Sequence, residues 1–149
     1  MTSAHSGPSV SAPEAYREKL FNLLAERDPI EVMGQTASIL AVIVAGHATE
    51  VLRARPFEGK WTANEIIGHL TDSEWVYGYR LRLILCEDDP AILGTKQDAW
   101  VTSLRYNERE PSELVEIFRT LRFFNLDVWK RMSTEDFKRS GIMSAAGSP

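Results

Sequence analysis

Three stretches of this chain, roughly Thr36 to Arg53, Thr62 to Cys86 and Pro111 to Met132, repeat apolar residues at helical spacing. Nowhere does the sequence show the strict period-two alternation that a half-buried strand requires. Leu40, Ile43, Val44 and Val51 mark the first stripe. Ile66, Leu70, Tyr77, Leu81 and Ile84 mark the second, and Leu114, Phe118, Leu121, Phe124 and Val128 the third. A helix with such a stripe must bury it against another helix, so the expected fold is all-α and its architecture an antiparallel bundle.

Starts and stops are legible around these stripes. Pro13 opens a shorter helix through Tyr16, Leu20, Phe21 and Leu24, which Asp28-Pro29 ends; it is expected to pack across one end of the bundle. Thr62-Ala63-Asn64-Glu65 is a capping box, in which the Thr62 hydroxyl serves the Glu65 amide and the Glu65 carboxylate reaches back. Glu87-Asp88-Asp89-Pro90 and Gly94 mark a loop, Asp98 to Leu104 a short helical turn, and Ser133 to Asp136 a cap for one more turn. Residues 1–12 and 143–149 are small, polar and aperiodic and read as tails around one domain at 13–142. After Gly141 only eight residues remain. A four-helix bundle read from this sequence therefore lacks most or all of its last helix.

Composition removes several classes of function. Seventeen Lys and Arg against 21 Asp and Glu give a net charge of −4, without the basic footprint of a nucleic-acid binder. The single cysteine, Cys86, forms no intramolecular disulfide and no C-x-x-C pair. Its place at a helix C-terminus works against a nucleophilic thiolate. The longest apolar run, Ile39 to Ala45, is far short of the roughly 20 residues that span a bilayer. With no secretory signal at the start, a cytoplasmic protein acting on neither nucleic acid nor membrane is expected.

Three histidines are available for chemistry. His5 lies in the tail, and His47 follows the Leu40–Val51 stripe and reads as a packed residue at a helix end. His69 differs, because His69, Ser73, Val76 and Arg80 share one narrow sector of the third helix, with Asp72 and Glu65 at its edge. Glu74 points into the apolar stripe itself, where a buried carboxylate needs an Arg or a Tyr hydroxyl. His69 has Asp72 at i+3 on the same helix, a weak metal signal by itself, and the residues alone favour a bundle-lining histidine bonded to Glu74 or a carbonyl. There is no G-x-S-x-G, phosphate loop or H-E-x-x-H, and Trp61, Trp75, Trp100 and Trp129 read as core and groove walls.

Arg55-Pro56-Phe57-Glu58-Gly59-Lys60-Trp61-Thr62, then Glu65-Ile66-Ile67-Gly68-His69-Leu70-Thr71-Asp72-Ser73-Glu74, resembles the signature that opens the second helix of the DinB-like four-helix-bundle superfamily. Tyr79-Arg80, Asp88-Asp89-Pro90 and Gln97-Asp98-Ala99-Trp100 are similar to that family's next helix and loop, and the resemblance extends over about residues 28 to 140. It implies a divalent metal, nickel or zinc, with His69 as one of three histidine ligands and Asp72 or Glu74 behind it. The other two ligands form an H-x-x-x-H pair on the family's last helix, which is absent from these 149 residues. It also implies either metal-dependent hydrolysis of a small-molecule substrate or transfer that uses a low-molecular-weight thiol. With one ligand of three present, the chain as read is expected to be metal-deficient. The competing expectation is a non-catalytic helical module whose open apolar groove is covered by a partner or a second copy in a homodimer.

Overall fold

The computed structural model describes residues 13–144. Six helices, α1 (Pro13–Leu24), α2 (Pro29–Ala45), α3 (Thr49–Arg53), α4 (Ala63–Cys86), α5 (Gln97–Ser103) and α6 (Pro111–Arg131), carry most of it. Two short strands, β1 (Ala91–Leu93) and β2 (Ile142–Ser144), and 3-10 turns at Tyr106–Glu108 and Asp136–Lys138 complete the order. The expectations for residues 1–12, His5 among them, and for 145–149 lie outside the described residues.

The three long helices form the bundle, with α6 at its centre and both α2 and α4 packed on it. Leu114 and Val115 of α6 are buried against Ile67 of α4, Val101 of α5 and Tyr106, with Leu40, Ala41 and Val44 of α2 packed against the cluster, and Phe118 of α6 is fully buried as well. No single helix among the described residues is long and apolar enough to cross a membrane. Helix α1 forms, but it makes no substantial packing contact with any other element, and its Leu20, Phe21 and Leu23 stay exposed. The expected packing across the bundle end is therefore not found. Four residues between α1 and α2 set the turn, and Asp28 accepts from the Ile30 and Glu31 amides while Pro29 occupies the first turn.

Other boundaries move for local reasons. The Asp28 cap starts α2 well before Thr36, and Gly46 ends it, so the single helix expected over Thr36 to Arg53 is two, α2 and α3. His47 falls in that break and is exposed, its Nδ1 2.8 Å from the Ile43 carbonyl oxygen; it caps a carbonyl rather than packing in the core. The capping box of α4 is present in both directions, Glu65 N–H to Thr62 Oγ1 at 3.1 Å and Thr62 N–H to Glu65 Oε2 at 2.7 Å.

Strands β1 and β2 are parallel, with Ala91 opposite Ile142 and Leu93 opposite Ser144. They add one short strand pair to the helical fold, and they place Met143 and Ser144 in a strand rather than in a tail. Each is three residues long, too short for alternation to register in a sequence. The return of the chain is secured by Arg139, which donates to the carbonyls of Ile84 and Glu87, both at 2.6 Å, at the end of α4. The loop carrying β1 is thus pinned beside α4, where it roofs part of the site.

Candidate functional site

Helix α4 presents three faces. Ile67, Thr71, Glu74 and Gly78 face α6. At Gly78 a Cβ would lie 2.4 Å from Asn125 Oδ1, so only glycine admits the amide that ties the two helices. Asn125 donates to the Glu74 backbone and side chain, and Arg122 pairs with Glu74 Oε1 at 2.7 Å. Glu74 therefore has the arginine partner its burial demands, and that partner lies on α6, away from His69.

On a second face Asn64, Gly68 and Asp72 meet the segment that connects α5 to α6. Asn64 Nδ2 donates to the carbonyls of Tyr106 and Arg109 at 2.7 and 2.9 Å and holds that segment down. Gly68 lets the Tyr106 ring lie directly on the helix backbone, since a Cβ there would meet Tyr106 Cγ at 2.1 Å. The ring then aims its hydroxyl along α4, and Tyr106 O–H donates to Asp72 Oδ1 at 2.5 Å.

His69, Asp72, Ser73, Val76 and Arg80 line the third face, a slot along α4 that Thr95, Gln97 and Trp100 cover from the β1 loop and α5. The slot encloses about 30 Å³, room for little more than a water or one small polar group. The sector read from helical spacing is thus one wall of a real cleft. Glu65 is not in it; it belongs to the cap and to an ion pair with Arg55 at 2.8 Å. Burial pushes the Glu65 carboxyl up, and the hydrogen bonds from Arg55 and Thr62 more than offset this, leaving its pKa below the ordinary value.

Within the slot the His69 ring packs against Trp61, centroids 4.9 Å apart. Ser73 spends its hydroxyl on the His69 carbonyl at 2.9 Å. Asp72 is the unusual group. Its Oδ2 is buried with no hydrogen-bond partner among the described residues. Burial raises its pKa above the ordinary value, against the opposing pull of the Tyr106 hydroxyl and nearby His69. Burial and the adjoining carboxylate push the Tyr106 phenol up strongly, so the shared proton stays on Tyr106 and Asp72 Oδ2 is the carboxylate oxygen left without a partner among the described residues. Tyr106 was not among the sequence candidates. Its only sequence signal is a glycine on the inner face of α4, which announces a close neighbour without saying which.

A divalent ion in a catalytic site typically takes three protein ligands. His69 and Asp72 come together here, Glu74 does not join them, and no group of three or more His, Cys, Asp or Glu side chains suited to a metal occurs among the described residues. The described residues alone do not make a complete metal site.

Comparison with known proteins adds family and fold. A family model described as the DinB superfamily matches residues 34–148. Among solved structures, YfiT from Bacillus subtilis, described as "a probable metal-dependent hydrolase with an unusual four-helix bundle topology", superposes with a TM-score of 0.72 at 22% identity. The match covers 93% of this chain and 74% of that one, and at this identity it shows the fold. No curated protein matches the chain.

Proposed function

Because this chain belongs to the DinB superfamily, we propose that it acts on a small molecule that presents its reacting group to the α4 slot, as a hydrolase of the kind named for its structural neighbour, with Asp72 as proton acceptor. The observation that carries this reading is the buried, unpartnered Asp72 Oδ2 beside His69. Hydrolysis and thiol-dependent transfer place the same demand on this slot, a group that takes a proton from water or from a thiol. A carboxylate with a raised pKa, one oxygen held by a phenol and the other without a partner among the described residues, meets that demand. The Tyr106 hydrogen bond fixes the carboxylate's orientation, and Trp61 fixes the imidazole face. His69 is the group proposed to contact a divalent metal or the substrate; the proton transfer to Asp72 is independent of which it is.

Turnover of a panel of aryl esters and thioesters, with and without a small thiol and with zinc or nickel supplied, tests the assignment. Asp72→Asn keeps the shape and removes the base, and is expected to lower kcat by about 10²- to 10⁴-fold, the range of a general base. Equilibrium dialysis with added nickel separates the two roles of His69: uptake by the parent chain that His69→Ala abolishes makes it a metal contact, and no uptake leaves it a substrate contact. Undiminished turnover in Asp72→Asn, or no turnover of any substrate by the parent chain, would overturn the hydrolase reading. Nickel uptake unchanged by His69→Ala would remove His69 as a metal contact.

A further inference from the structure

The slot does not end at Arg80. Val76, Arg80, Thr95 and Trp100 also line a second cavity of about 260 Å³, which continues along α4 between Trp75, Leu83 and Leu93. Slot and cavity adjoin along this shared wall and together make a trough with ends of opposite character, Arg80 standing between them. At one end are Asp72 and His69; at the other are aromatic and aliphatic walls.

Those walls carry apolar surface in contact with water. Trp75, Tyr79 and Leu93 are 67%, 57% and 69% exposed around the same cavity. Large apolar side chains gathered about a concavity are the usual lining of a site for a small organic molecule.

Arg80 stands at the junction. Its Nη2 donates to the Leu93 carbonyl, which fixes both the guanidinium and the roof of the trough. Among the described residues it has no carboxylate partner, whereas Arg55, Arg122 and Arg139 each face one. Its Nε and Nη1 have no protein acceptor among the described residues, which leaves charged N–H donors open at the boundary between the polar and apolar ends. Val76 lies one turn from Asp72 and one turn from Arg80, about 6 Å along the axis in each direction.

From this arrangement we infer that the trough takes a small organic anion, with an aromatic or branched aliphatic arm between Trp75, Leu83 and Leu93 and a carboxylate on Arg80. The arm that reacts runs over Val76 toward Asp72. A cavity of 260 Å³ fits a single ring or short branched chain, not a peptide or a lipid tail. This deepens the hydrolase reading by naming its substrate class, and it concerns binding alone, which needs neither turnover nor metal.

The test uses the full chain in chelator, with 4-phenylbutanoate and the uncharged 4-phenylbutanamide as probes. Dissociation constants come from calorimetry, and backbone NMR shifts locate the binding. The carboxylate is expected to bind at least tenfold more tightly than the amide, with shifts centred on Val76, Leu93 and Trp100. Arg80→Gln should erase that preference and Arg80→Lys should restore part of it, each variant first shown to be folded by circular dichroism. Equal affinity for the two probes, a preference that survives Arg80→Gln, shifts centred on the exposed Phe123 and Phe124, or no binding of either probe would overturn the inference. Because chelator is present, failure here leaves the Asp72 turnover test standing, and failure of that test leaves this binding result standing.

Discussion

Gly68→Ala sets two physical effects against each other, and the structure says which wins. Residue 68 lies inside α4, where alanine is favoured over glycine by about 1 kcal/mol. Helix propensity alone therefore predicts a more stable protein. The added methyl, however, would lie 2.1 Å from Tyr106 Cγ and 2.5 Å from both Cδ atoms, against the 3.4–4 Å of ordinary contact. The ring must retreat by roughly 1.3 Å, the difference between 2.1 and 3.4 Å. Tyr106 is only 5% exposed and packed with Ile67, Val101 and Leu114, so the retreat has nowhere to go. Overpacking of this kind costs about 1–3 kcal/mol. The same shift breaks the 2.5 Å bond to Asp72, and a hydrogen bond to a charged group is worth about 1.5–3 kcal/mol. With the propensity gain deducted, the net loss is about 3 kcal/mol. For a urea slope of about 2 kcal/mol/M, the midpoint of unfolding falls by about 1.5 M. In a Tyr106→Ala background the methyl meets no ring, and Gly68→Ala should turn stabilising by up to about 1 kcal/mol. A Gly68→Ala protein as stable as the parent, or a cycle without that change of sign, would refute the close approach of Tyr106 to α4.

The same contacts lead to two further outcomes. The folded pKa of Tyr106 is raised, so its contribution to stability is fully present below the unfolded value of 10.0 and is lost as pH rises above it. Phenolate absorbance should show one of the four tyrosines staying protonated until the chain unfolds, and Tyr106→Phe should remove that late step and flatten the alkaline loss of stability; an unchanged titration would contradict it. Arg122→Met leaves Glu74 buried with only Asn125 for company, at a cost of about 3 kcal/mol, the lower end of the range for breaking a buried pair. Adding Glu74→Leu should recover most of that loss in urea unfolding, and no recovery would mean that the pair itself carries the stability.

The sequence specified the long elements because their signals are local. A capping box at Thr62–Glu65 and a proline at position 111 act within one turn, and the expected limits of α4 and α6 fall within a residue or two of the observed ones, whereas Asp28-Pro29, read as the end of the first helix, also starts α2. The His69–Arg80 wall of the slot was legible for the same reason, since residues four apart on one helix must share a face. The cover over that wall was not legible. Thr95, Gln97 and Trp100 arrive through a loop whose path is set by β1 pairing with β2, about fifty residues later in the chain. No periodicity reports such a pairing. Helix α1 is the opposite failure, in which the stripe correctly predicts a helix and says nothing about a surface to receive it.

Asp72 and Glu74 show why spacing proposes site residues without choosing among them. They are two positions apart, about 200° around α4, so one cannot face the slot without the other facing away. Both carboxylates are withdrawn from water, yet their surroundings differ in charge. Glu74 meets the Arg122 guanidinium and the Asn125 amide, which occupy both of its oxygens and neutralise it. Asp72 meets a neutral phenol at one oxygen and, among the described residues, no partner at the other, beside His69. A carboxylate locked by a cation supports the bundle, because releasing it would strand a buried charge. A carboxylate held by a phenol, with its second oxygen unpartnered among the described residues and its pKa raised, is the one proposed above as proton acceptor. The division of labour is decided by residues 106 and 122, each more than thirty positions from the carboxylate it serves, which is why the two acids looked interchangeable along the chain and are not in the fold.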